Sequence, residues 1–372
     1  MRKLIYLAIV AASTFFLVES CKKSDSGDQT NTGSSFDRKG MLTNMSTNII
    51  IPGYTSYQAA TVTLNTAVTT FIATPNAANL TALQTAFQAT YKQWQAVSAF
   101  EFGPAAQINL RVNTNTYPAD VNQINSNITT STYQPDLLTN LAAKGLPALD
   151  YLLFGTGADN TAILAQYTTG ANATYRKTYL GLLSAELKTN ATTVLTTWTS
   201  TYPATFVNAN GTDVASSVGQ MLNQLVYDYE VLKNYEIGIP AGVQSMGTLY
   251  PQKVQAYYSK ISVQLALLHI QALQNIYLGK SASDGLGFDD YLDAAGAKYS
   301  DGTSLNATIK AQFATAIAKL QALSDPLSTQ ITTNNAAVTA AYTELQKLTV
   351  LLKTDMSSSL GILITYGDND GD

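Results

Sequence analysis

The chain has 372 residues, 46% hydrophobic and only 12% charged; this length predicts about two domains with ordinary cores, and neutral Thr, Asn, Gln and Ser must cover the surface. With 21 Lys and Arg against 25 Asp and Glu, for a net charge of −4, there is no basic excess to neutralise a phosphate backbone, so nucleic acid is excluded as an expected partner. One Cys and one His exclude zinc fingers, multi-histidine metal sites and any disulfide within the chain.

Met1-Arg2-Lys3 is a short basic start, and residues 4–18 form an apolar run of 15 residues. That run is short for a bilayer span and suits a secretory signal, so residues 1–20 are predicted to be a signal peptide. Cys21 follows Val18-Glu19-Ser20, which resembles a bacterial lipobox with Glu19 as its departure. The residues after it are polar and rich in Ser, Gly and Asp, so 21–40 is expected to be a tether with Cys21 as its lipidation site. The mature protein is then expected in the cell envelope, as an outer-membrane lipoprotein facing the periplasm or the cell surface, held to the membrane by its lipid without crossing it.

From Met41 onward the apolar residues recur at helical spacing. Leu80, Leu83, Phe87, Tyr91 and Trp94 form one stripe; Leu180, Leu183, Leu187, Ala191, Val194 and Trp198 form another; Met221, Leu222, Leu225, Tyr229 and Leu232 form a third. Gly and Pro clusters punctuate them, and no two-residue alternation competes, so the fold class is all-α. Long antiparallel helices with short connections make bundles.

Three short blocks recur in order. Phe100-Glu101-Phe102-Gly103 is answered by Tyr235-Glu236-Ile237-Gly238, Tyr117-Pro118 by Tyr250-Pro251, and Gly145-Leu146 with Asp150-Tyr151-Leu152 by Gly285-Leu286 with Asp290-Tyr291-Leu292. The offsets are 135, 133 and 140 residues. They predict two related helical-bundle domains, 41–210 and 211–372, the second ending in an acidic tail, with a binding site in the cleft between them. Gly103 and Gly238 are expected as helix C-caps, and Pro118 and Pro251 just inside the following helices. Glu101 and Glu236 lie near predicted helix C-termini, where the dipole opposes a carboxylate, so each needs a cation or donor nearby.

These blocks carry a resemblance to the imelysin-like family, formerly the M75 peptidases, exported bacterial proteins often tied to iron uptake. The matching stretches are Trp94 with Phe100-Glu101-Phe102-Gly103-Pro104, Arg111, Tyr117-Pro118 and residues 145–153; then residues 254–259, residues 285–292 and the terminal Asp368-Asn369-Asp370-Gly371-Asp372. The resemblance spans nearly all the mature chain and implies two helical bundles with a site between them. The family's Gly-x-His-x-x-Glu hallmark is altered at both functional letters, with Pro147 at the His position and Asp150 at the Glu position. Gln255 stands where the family usually carries a glutamate. A His and a carboxylate three residues apart on a helix suit a divalent metal or a general base, whereas proline has no ligand atom.

His269 lies in an apolar helix with no acid three or four residues away, and is expected to be a satisfied buried histidine. The tail begins like a calcium loop but ends at its fifth position, so a solvated acidic tail is expected. The expected binding residues are Glu101, Arg111, Asp150, Glu236, Tyr258, Ser259 and Asp290; the matched family arginine implies, as the alternative to a bound metal, an ion pair of Arg111 with Asp150. Carboxylates without imidazole or thiolate favour a hard cation such as iron or calcium over zinc. The expected function is a ligand- or metal-binding accessory protein with an interdomain pocket, which the resemblance links to iron or other metal acquisition beside an outer-membrane uptake system. The alternatives are a metallopeptidase of the M75 type and a partner-binding protein with a vestigial pocket.

Overall fold

Few charges dress the helices, so hydroxyls must find partners close by. Along the Ile51–Ala73 helix, Thr55, Thr63, Thr66, Thr69 and Thr70 each donate to the carbonyl four residues back, at 2.7–3.0 Å. Thr192, Thr193 and Thr197 do the same on the Ala173–Trp198 helix. A Thr-rich exterior is thereby satisfied by its own backbone. The inward faces carry the predicted stripes: Leu80, Leu83, Phe87, Tyr91 and Trp94 are all buried, as are the stripes of 180–198 and 221–232.

The computed structural model describes residues 36–366. The signal peptide, Cys21 and the residues 368–372 fall outside the described residues. Among the described residues the fold is all-α, with only an isolated bridge between Lys298 and Ser304. None of the described helices is long and apolar enough to cross a membrane.

Two groups of long helices organise the chain. In the first, Ile51–Ala73 packs against both Ala77–Trp94 and Ala173–Trp198. Thr90 donates to the Ala60 carbonyl across one of these seams, at 3.1 Å, and Asn65 to the Ser184 hydroxyl across the other, at 2.9 Å. In the second, Leu305–Gln321 packs against Ser262–Tyr277 and Asn335–Val350. One hydrophobic cluster runs through both groups, from Met41 to Ile362. Side-chain caps start several helices: Asn76 accepts from the Asn79 amide and Asp120 from the Gln123 amide, at 2.8 and 2.9 Å.

Four helices among the described residues widen into π turns, and two of these turns adjoin the interior carboxylates. The Gly145–Asp150 helix continues as Tyr151–Gly155, and Ser217–Glu230 continues as Val231–Gly238. Such turns rotate the following side chains away from the regular register and are frequent near functional sites. Here one follows Asp150 directly and the other carries Glu236.

The glycine caps differ from expectation. Gly103, at φ 51°, precedes the Pro104–Gln107 helix instead of closing the one before, and Gly238 lies inside the π turn. Pro251 opens the Pro251–Lys253 turn as a helix starter, while Pro118 precedes a helix capped by Asp120. Gly145, at φ 68°, is required on two counts: the left-handed backbone and the Thr114 carbonyl oxygen, which a Cβ would approach to 2.2 Å.

Candidate functional site

Four helical segments bring a charged network into the interior. His269, on Ser262–Tyr277, places Nδ1 at 2.9 Å from Glu236 Oε1 and Nε2 at 2.8 Å from Asp228 Oδ2. His269, Asp228 and Glu236 are only 2%, 1% and 3% exposed. Arg111 Nη2 approaches Asp228 Oδ1 at 3.4 Å, donates to the Ser98 carbonyl at 2.8 Å and to Gln224 Oε1 at 3.1 Å, and its guanidinium lies over the Tyr227 ring. The Arg111 amide donates to Glu101 Oε2 at 3.0 Å.

Burial alone would lower the His269 pKa, but Asp228 and Glu236 outweigh it and push it up to about 10. Burial acts on Asp228 in the opposite sense, and His269 and Arg111 overcome it, holding Asp228 below the usual carboxylate range. The imidazole is therefore a cation that donates through both nitrogens. Two cations, Arg111 and His269, balance the carboxylates of Asp228 and Glu236. Glu101, lying at the edge, is pushed up by burial despite Arg111.

Ser98 adds a feature that resembles a hydrolytic triad. Its hydroxyl is 3.4 Å from His269 Nε2, and Glu236 sits on the other ring nitrogen. Asp228 intervenes, accepting from Ser98 at 2.7 Å and from Nε2 at 2.8 Å. An imidazolium held by two carboxylates has no lone pair to take a serine proton, so this arrangement cannot act as a general base.

Asp150 performs a different task. Its two oxygens accept the backbone amides of Tyr258 and Ser259, at 2.8 and 2.9 Å. Burial raises its pKa to about 6, with hydrogen bonds from Ser259 and the Tyr258 amide opposing the shift. The held segment contains Ala256 and Lys260 at φ 53° and 62°, conformations that side chains disfavour. Asp325 accepts the amides of Val263 and Gln264 a few residues on. Two carboxylates thus fix the chain between the Pro251–Lys253 turn and the Ser262–Tyr277 helix.

A recess with a volume of 30 Å³ opens beside Asp150, lined among others by Tyr117, Pro147, Gln252, Tyr257 and Tyr258. Tyr258 meets Tyr151 and Tyr257 edge to face, with centroids 5.2 and 5.0 Å apart. The Tyr117 hydroxyl and Glu236 Oε2 are buried without hydrogen-bond partners. Glu236 is the charge that most raises Tyr117, after burial itself. The Gln255 amide lies beside the Tyr91 hydroxyl without a well-aligned hydrogen bond.

The expected site residues therefore separate. Glu101, Arg111 and Glu236 belong to the ion-pair network, and Asp150, Tyr258 and Ser259 to the clamp and recess. Asp290 works elsewhere: its carboxylate accepts the Gly287 amide at 2.9 Å and starts the Phe288–Ala294 helix. Arg111 pairs with Asp228, not with Asp150. Asp228 and Ser98 were not anticipated, although Asp228 lies three residues after Leu225 and four before Leu232, squarely on the buried stripe.

The donor set does not fit a zinc-type metal. Pro147 offers no side-chain ligand atom, and both His269 nitrogens face carboxylates. No cluster of three or more His, Cys, Asp or Glu side chains arranged to hold a metal ion occurs among the described residues. The interior is balanced by its own ion pairs.

Fold and interior together define an all-helical protein with an ion-paired core network beside a small polar recess. The chain belongs to the imelysin family, peptidase M75, whose profile matches residues 50–353. Iron-regulated protein A of Synechococcus elongatus is 23% identical over 309 residues, covering 80% of each chain. Among solved structures, a protein described as an iron-regulated protein A precursor from Parabacteroides distasonis aligns with a TM-score of 0.72 at 18% identity, over 87% of this chain and 95% of its own. An imelysin-like protein from Psychrobacter arcticum aligns with a TM-score of 0.66 at 18% identity, over 88% and 97%. At these identities the structures share the fold.

Proposed function

We propose that the chain is an exported lipoprotein, anchored through Cys21 in the outer membrane, that serves as a non-hydrolytic binding accessory in iron or other metal acquisition. The family and the iron-regulated relative support the link to iron. The observation that carries the non-hydrolytic part is His269 locked between Asp228 and Glu236, which removes the single imidazole from both metal ligation and base chemistry. The recess beside Asp150 is the proposed ligand site, and a neighbouring outer-membrane uptake system is the proposed partner.

A strain lacking the chain tests this under iron limitation. Reduced uptake of labelled iron is expected, restored by the wild-type chain and not by Cys21→Ser, whose product should also lose acyl labelling and leave the membrane fraction. Normal iron uptake in the deletion strain would overturn the proposal. Calorimetric titration of the mature chain with zinc should show no sub-micromolar site.

A further inference from the structure

The recess carries one carboxylate and several tyrosine rings, and no cationic side chain. Three tyrosines, Tyr117, Tyr257 and Tyr258, line it together with the polar side chains Asp150 and Gln252, and no Lys, Arg or His is among its lining residues. The Tyr117 hydroxyl is buried and unpartnered. Each Asp150 oxygen accepts one amide and keeps a second lone pair. The volume of 30 Å³ admits about two water-sized groups, so only the tip of a larger molecule enters.

These features discriminate among ligands. An anion would meet the Asp150 carboxylate. A hard metal ion wants about six oxygens at close range, and the lining offers Asp150, Gln252 Oε1 and Tyr117 Oη. A primary ammonium has three donors for those three acceptors, and aromatic faces attract it further. Pro147, Val254 and Ala256 give apolar surface for the carbon that follows the nitrogen.

The geometry points to a binding site for a primary ammonium group, with its three N–H bonds directed at Asp150, Tyr117 and Gln252 and its carbon stem among the recess tyrosines. This deepens the function proposed above and rests on the recess being a ligand site. The amine belongs either to a small free amine or to a lysine side chain of a polypeptide, since both present the same tip.

The test is a titration of the mature chain, tyrosine-ring labelled, followed by NMR, with methylammonium, Nα-acetyl-lysine amide and calcium chloride as separate probes at constant ionic strength. Saturable shifts of Tyr117 and Tyr258 with the amines are expected. Tyr117→Phe and Tyr258→Leu should each weaken amine binding about 5-fold, and Asp150→Asn about 30-fold. Tyr117→Phe removes one hydroxyl and leaves the clamp intact, so it reports on the site even if Asp150→Asn disturbs the fold. Tighter binding of the lysine amide assigns the source to a polypeptide, and tighter binding of methylammonium assigns it to a free amine; both uphold the site. Shifts with calcium alone would overturn the ammonium assignment while leaving the recess a ligand site. Silence with all three probes would overturn both.

Discussion

His269 holds a proton that free histidine would give up near neutral pH. Its folded pKa is raised from 6.5 to about 10 because Asp228 and Glu236 outweigh the burial that opposes them. A raised histidine pKa means that the folded state binds the proton more tightly than the unfolded state. The associated stability is present in full below pH 6.5 and is lost as pH rises through 10. Denaturation at a series of pH values should therefore show stability falling across that window, and His269→Gln should remove this slope. The same variant should lose about 3–5 kcal/mol at pH 7, because it leaves Glu236 buried without a cation and Asp228 with Arg111 alone. A wild-type profile flat from pH 7 to 10 would contradict a charged His269. That this histidine is buried was legible from its apolar flanks. Its partners were not, because they lie 33 and 41 residues away on another helix and its π extension. The register of the stripe marked Asp228 as buried, yet a lone acid among apolar residues does not name its cation.

At the scale of elements, the segment 254–264 is shaped by carboxylates that reach it from elsewhere. Asp150 and Asp325 each accept two consecutive amides, and Ala256 and Lys260, on either side of the pair that Asp150 holds, have positive φ. Left-handed backbone at non-glycine residues costs about 1–3 kcal/mol each and persists only where the surroundings impose it. Asp150→Asn keeps one acceptor and sets an amide NH₂ against a backbone N–H. It should cost about 1–3 kcal/mol and speed hydrogen exchange at the Tyr258 and Ser259 amides. Unchanged exchange there would show that the segment holds its shape without the clamp. The pH dependence has its own sign. The folded pKa of Asp150 is raised from 3.8 to about 6 by burial, so its charge is a cost, present above pH 6 and relieved as pH falls towards 3.8. Asp150→Asn lacks that relief and should lose stability more steeply on acidification. The helical stripes were legible because burial imposes a 3.6-residue period. The clamp was not, since a carboxylate on a distant backbone amide leaves no periodic trace.

Across the whole molecule, polar links join the two sequence halves. Arg111 pairs with Asp228, Ser98 donates to Asp228, and Asp150 holds Tyr258 and Ser259. At the start of the described chain, Asn44 donates to the Gly279 and Leu286 carbonyls, at 2.7 and 3.0 Å. The recurring blocks were visible in sequence, but matching letters serve different tasks: Asp150 holds a distant segment, whereas Asp290 caps its own helix. If one core runs through both groups of helices, neither half retains a closed surface when the other unfolds. The mature chain should then unfold in a single calorimetric transition whose van 't Hoff and calorimetric enthalpies agree, with an enthalpy on the order of 200 kcal/mol. Asp228→Asn weakens the central link and should lower the midpoint by about 5 °C without splitting the transition. Two resolved transitions, with only one moved by the substitution, would show halves that fold independently and would make the ion-pair network a contact between domains instead of part of a common core.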